Sequence, residues 1–217
     1  MATRNGVIKR VAVKEFEYQR RGGKIAINLD EDDELIFVRH TKGNESLVIA
    51  TREGNAVRFD ENNVRSMGRG ARGVKGITLG GDDVVVGVCV VDETKSILTV
   101  TENGMGKRTY LDEFTVQYRG GKGVKTMNLT DKTGNLIGLE AVTDEQDLML
   151  ITKSGTAIRM AMDTIRVMGR ATQGVKLIEL QKRNDTLMFG CVVPKEEQEE
   201  VTEAPEATAE EATTAEE

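Results

Sequence analysis

The residues able to do chemistry in this sequence are cations set among glycines. Four clusters stand out: QRRGGK at 19–24, GRGARGVK at 68–75, QYRGGKGVK at 117–125 and GRATQGVK at 169–176. They carry Arg20, Arg21 and Lys24, then Arg69, Arg72 and Lys75, then Arg119, Lys122 and Lys125, then Arg170 and Lys176. A second stripe comprises Lys9 and Arg10, Arg58, Lys107 and Arg108, and Arg159. Guanidinium and ammonium groups neutralise phosphate, and small glycine loops let backbone amides approach it. Such a series suits a nucleic-acid backbone, which needs charge neutralisation and no base reading. The arginines have a second use open to them, because five donors also suit bracing their own loops through backbone carbonyls. One Arg-Gly-Gly is weak evidence; four copies in register are not.

Other chemistry finds little support. His40 has no second His or Cys near it in sequence, so a catalytic or ligand role is not expected. Cys89 and Cys191 form neither a disulfide framework nor a metal cluster, fit a reducing compartment, and read as small buried hydrophobes. GRGARGVK lacks the GKS or GKT ending of a phosphate-binding P-loop. No spacing of His, carboxylates or metal ligands suggests a reaction centre.

What must position the cations is a repeat. The turn glycines Gly6, Gly54, Gly104 and Gly155 are separated by 48, 50 and 51 residues, and Arg21, Arg69, Arg119 and Arg170 keep the same separations. Each glycine follows a turn residue (Asn5, Asn103 and Ser154 among them) between short apolar runs, the pattern of a β-hairpin whose turn needs φ > 0. In the second period the paired strands are 48–51 and 56–59. A third strand follows the glycine cluster, as at 74–79 and 124–129, and a fourth is the apolar run 84–91, matched by 35–38, 136–142 and 187–193. Segments 60–67 and 163–168 suit either a short helical turn or a loop. Four strands per ~50 residues imply an all-β, propeller-like architecture of about four blades, over 1–47, 48–97, 98–147 and 148–193. The cations then fall at equivalent places on successive blades, as a positive band along one rim.

Composition agrees. The 217 residues include 38% apolar and only 4% aromatic residues, so the core must rest on Val, Ile, Leu and Met. From Pro194 onward the chain holds ten Glu against one Lys, so the net −6 divides into −9 for this tail and +3 for residues 1–193. The tail has no aromatic, Leu, Ile, Met or Gly residue and is expected to be disordered, since it cannot bury enough surface to offset ordering. A flexible polyanion of this kind either competes for the basic rim in cis or simply keeps the chain soluble. No apolar run approaches the ~20 residues of a membrane span and no signal sequence opens the chain, which argues against a membrane or secreted protein.

Strings such as MGRGARGVKGI, ENGMGKRT and GRATQGVKLI resemble the C-terminal DNA-wrapping domain of DNA gyrase A, part of a bacterial type IIA topoisomerase, over all of 1–193. The resemblance implies a β-pinwheel, a propeller-like disc whose blades exchange strands and whose basic perimeter bends double-stranded DNA. The family's first blade carries a box reading Gln, basic, Arg, Gly, Gly, basic, Gly. Residues 19–25 match six of seven positions, with Ile25 in place of the last glycine, and residues 117–123 match six of seven, with Tyr118 in place of a cation. Family discs have six blades and about four periods are present, so a fragment of a longer polypeptide is expected. Tyr18, Tyr110 and Tyr118 all lie within repeats and do not match the family's cleavage tyrosine. By the same resemblance the partners are gyrase B and a second gyrase A in a heterotetramer. ATP and magnesium serve the whole enzyme, with ATP on gyrase B and no cofactor in this chain, and the setting is cytoplasmic, on the bacterial chromosome. The C-terminal domain of the corresponding topoisomerase IV polypeptide and a protein-binding propeller remain the alternatives.

Overall fold

The computed structural model describes residues 1–18, 21–180 and 185–195. The expected acidic tail beyond residue 195 and Arg20 lie outside the described residues. Among the described residues, fifteen strands form four antiparallel sheets, each built on one hairpin around a glycine turn. The hairpins are β1 (Ala2–Thr3) with β2 (Val7–Ile8), β4 (Ser46–Thr51) with β5 (Asn55–Asp60), β8 (Ser96–Thr101) with β9 (Met105–Tyr110), and β12 (Gln146–Thr152) with β13 (Ala157–Ala161). Gly6, Gly54, Gly104 and Gly155 turn them with φ of 81°, 81°, 78° and 87°, the left-handed region that a side chain would strain. The returning strands β3 (Leu35–Phe37), β7 (Val85–Val91), β11 (Leu136–Val142) and β15 (Leu187–Pro194) pair with the first strand of the same hairpin.

The remaining strand of each period goes elsewhere. β6 (Val74–Lys75) pairs with β2, β10 (Val124–Lys125) with β5, and β14 (Val175–Lys176) with β9, so each of the last three periods hands one strand to the sheet before it. Simple counting puts four strands of one period into one blade. Among the described residues the structure instead makes three four-stranded blades by exchange and a fourth sheet of three strands, ordered β13-β12-β15. The exchange needs glycine at the crossing point. A Cβ on Gly73 would lie 2.7 Å from the Ile8 carbonyl oxygen, one on Gly174 2.6 Å from that of Gly106, and one on Gly123 would overlap that of Ala56.

Three apolar cores lie between consecutive sheets. Ala2 and Ile8 meet Ile49, Val57, Phe59 and Val88; Val48, Ala56 and Cys89 meet Ile97, Leu136 and Leu139; Leu98 and Val142 meet Leu148, Leu150 and Leu187. Aliphatic alternation on strands thus serves both faces of each inner sheet. The segments left open as turn or loop contain 3₁₀ turns at Glu61–Asn63 and Met162–Thr164, with others at Val13–Phe16 and Leu111–Glu113. Cys89 is fully buried as expected, whereas Cys191, on the last sheet, is half-buried.

Candidate nucleic-acid interface

The last three glycine–cation loops each run from a 3₁₀ turn into an exchanged strand, so each spans the junction between neighbouring blades, whereas residues 21–24 lead into no strand. Three arginines fasten these junctions. The guanidinium of Arg69 donates to the Ile25 carbonyl at 3.3 Å, that of Arg119 to the Lys75 carbonyl at 2.9 Å, and that of Arg170 to the Lys125 carbonyl at 2.9 Å. These are equivalent acceptors one period back. Backbone bonds repeat the pattern: Asn28 N–H donates to Ala71, Thr78 to Gly121 and Asn128 to Thr172. The arginines therefore do brace carbonyls, but those of the neighbouring loop and not their own.

This clamp holds other cations outward. Arg21, Arg72, Lys75, Lys122, Lys125 and Lys176 are exposed, and Lys24 is half-buried. Among the described residues, Arg21, Lys75, Lys122 and Lys125 have side chains without a hydrogen bond or ion pair. Arg72 pairs with Asp30, and Lys176 with Glu179 at 2.5 Å, both on the open surface where such pairs are weak and easily exchanged. Lys24 donates to the Glu15 carbonyl at 3.1 Å and stands 5.7 Å from the exposed Tyr18 ring; Arg119 stands 5.5 Å from the exposed Tyr118 ring. Arg65 and Arg166, each four residues ahead of a clamping arginine, are also exposed and unpaired among the described residues. They do not stand out in the sequence by themselves, although the shared offset is a signal that could find them.

The hairpin stripe has a different setting. Arg108 is 6% exposed; it donates to the Ile165 carbonyl at 2.8 Å and pairs with Asp144. Arg58 reaches Ser46, the Leu111 carbonyl at 3.1 Å and Glu93 at 2.8 Å. Arg159 pairs with Asp147 at 2.7 Å, and Arg10 bonds Asn62 at 3.0 Å with the Glu61 carboxylate at 3.5 Å. Below them, Lys107 is fully buried, and its ammonium donates to the carbonyls of Gly169 and Arg170, both at 2.7 Å, and to the Thr172 hydroxyl at 3.2 Å. Burial holds its pKa down to about 8, against the opposing pull of the Glu113 carboxylate. Lys9 does the same two junctions earlier, donating to the carbonyls of Ala26 (2.8 Å) and Arg69, and burial likewise lowers its pKa. Chemically, the surface offers a row of free cations on rigid loops above a layer of cations already spent on the protein.

The family model described as DNA gyrase C-terminal domain, beta-propeller matches residues 1–42, 45–92, 95–143 and 146–189. The chain belongs to this gyrase C-terminal domain family. Among its relatives, DNA gyrase A of Staphylococcus epidermidis is 47% identical over 181 residues, covering 82% of this chain and 20% of the relative. That of Staphylococcus aureus (strain MRSA252) is 44% identical over 209 residues, covering 95% and 23%. The chain thus spans about a fifth of the length of the curated relatives it matches. Among solved structures, the C-terminal domain of DNA topoisomerase IV superposes with a TM-score of 0.83 at 28% identity, covering 89% of this chain and 60% of that one. A DNA gyrase A C-terminal domain superposes at 0.75 with 27% identity, covering 88% and 64%. The β-pinwheel of the gyrase family is therefore the fold of this chain.

Proposed function

We propose that this gyrase-family pinwheel binds double-stranded DNA without sequence preference and wraps it along the junction loops, as the C-terminal part of DNA gyrase A. The observation that carries this reading is the set of exposed cations, Lys75, Lys122 and Lys125 foremost, on loops clamped at every junction by an arginine–carbonyl bond. Clamping fixes their spacing, and ordered cations bend a polyanion at lower entropic cost than flexible ones. The identities of 44–47% to gyrase A favour that parent over its topoisomerase IV counterpart. In the parent, gyrase B and a second gyrase A complete the assembly, ATP hydrolysis with magnesium belongs to gyrase B, and strand cleavage lies outside this domain.

Duplex DNA titrations against salt test the reading. Log affinity should fall linearly with log salt at about −0.9 per phosphate neutralised, equally for unrelated sequences. Nicked circles sealed in the presence of the protein should carry an altered linking number, which reports wrapping. Salt-independent affinity, or strong preference for one sequence, rejects the proposal.

A further inference from the structure

The junction loops are not copies of one another, and the middle one carries a group that a row of cations does not account for. Tyr118 is 67% exposed and takes no part in the three apolar cores. At the same place relative to the clamping arginine, the loops before and after have Gly68 and Gly169. A Cβ on Gly68 would meet nothing within 4 Å, so that site has room for a side chain and carries none. The strands on either side of the middle loop, β6 and β10, are both paired, on β2 and β5. The exposure of Tyr118 therefore belongs to a completed junction.

The backbone that presents this ring follows its own path. Gly120 has a φ of 86°, whereas Gly70, its counterpart in the loop before, lies outside the left-handed region. The Gly120 N–H donates to the Gly76 carbonyl at 2.6 Å, and the Thr78 hydroxyl donates to the Gly120 carbonyl at 2.6 Å. The Thr78 N–H adds a bond to the Gly121 carbonyl at 2.9 Å. Residues 76–78 thus fasten the loop to the exit of the preceding exchanged strand. The side chain is steadied too. The Arg119 guanidinium, held by the Asn63 and Lys75 carbonyls at 2.9 Å each, stands 5.5 Å from the centroid of the Tyr118 ring. A cation–π contact of this kind orders the ring while most of it stays in water. Lys122 and Lys125, both exposed, follow on the same loop.

We infer that Tyr118 is a further DNA contact at the middle junction, its ring packing against deoxyribose beside the phosphates that Lys122 and Lys125 neutralise. This contact rests on the proposed DNA binding and adds to it an attraction without charge. Deoxyribose is the same in every nucleotide, so the contact carries no sequence preference. Insertion of the ring between base pairs fits less well, because an opened step costs unstacking and favours flexible sequences. Nor does one ring make a platform for single strands, which stack on successive aromatics.

Titration of Tyr118→Ala with duplex DNA across salt separates this contact from the cations. A neutral side chain releases no counterions, so binding should weaken by about three- to tenfold at every salt concentration, with the slope unchanged. Tyr118→Phe keeps the ring and should keep the affinity. Because Tyr118 lies outside the cores, circular dichroism and melting of both variants should match the unaltered chain. The cost of Tyr118→Ala should persist in an Arg119→Lys background, since the ring acts on DNA and not by steadying the guanidinium. With 3-fluorotyrosine at all three tyrosines, the fluorine resonance that Tyr118→Phe removes should shift on adding duplex, while that of Tyr110, at the end of β9, stays in place. Full affinity in Tyr118→Ala, a changed salt slope, an equal loss in Tyr118→Phe, a cost that vanishes beside Arg119→Lys, or an unmoved Tyr118 resonance overturns the inference and leaves the cation row standing. Failure of the unaltered chain to bind DNA at all rejects both together.

Discussion

The two cation stripes carry similar charges along one sequence, and the fold gives them opposite tasks. On the junction loops Lys75, Lys122 and Lys125 face solvent with no partner among the described residues. On the hairpins, Lys107 and Arg108 are buried and tied to carbonyls of the next period. The difference follows from β geometry. Consecutive strand residues point to opposite faces, so Lys107 and Arg108 leave β9 on either side, and each meets a neighbouring period, not water. A buried ammonium needs its hydrogen bonds supplied by protein, and the curled loop 169–172 supplies three acceptors. The hairpin cations thus become the seat on which the junction loops rest.

The sharpest way to break this contrast is Lys107→Met. Loss of the ammonium leaves two carbonyls and a hydroxyl without their donor in a dry site, and unfolding stability should fall by about 2–4 kcal/mol, measured by denaturant titration. Finding no loss would mean that water enters and that the lysine is dispensable. Next comes Lys75→Ala/Lys122→Ala/Lys125→Ala. With three phosphate contacts gone, the slope of log affinity against log salt should shrink by about 2.7, with melting nearly unchanged. A large stability loss in this triple variant would dissolve the distinction between the stripes.

Smaller still is the effect of Arg119→Lys. Arg119 donates to both Asn63 and Lys75 carbonyls at 2.9 Å, and one ammonium cannot reproduce that fork, so a cost of about 1 kcal/mol in stability is expected together with a modest loss of DNA affinity. Alkaline titration supplies the finest test. Because Lys107 has a pKa of about 8 when folded and its ordinary, higher value when unfolded, the unfolded chain binds more protons between those two values. Stability contributed through this group should therefore rise as pH increases through that window. Subtracting the profile of Lys107→Met isolates the effect from other titrating groups. A difference profile that is flat, or that falls with pH, contradicts burial as the dominant influence on this lysine.

Much of the architecture was legible because its signals are local. Hairpin turns announce themselves through glycine after a polar turn residue, aliphatic alternation marks strands, and a fixed separation of Gly6, Gly54, Gly104 and Gly155 reveals repetition without any knowledge of contacts. The cations on the junction loops were legible for the same reason. Which sheet a strand joins is not local. Val74–Lys75 reads as a strand anywhere; only the path of the chain past Gly73 takes it onto β2 of the previous period. Nor does a sequence distinguish Lys107 from Lys125, since the type is the same and only the surroundings differ: three acceptors within 3.2 Å for one, solvent for the other. Charge and periodicity belong to the chain. Exposure, and with it the power to touch another molecule, belongs to the packing, because desolvation and hydrogen bonding depend on neighbours distant in sequence.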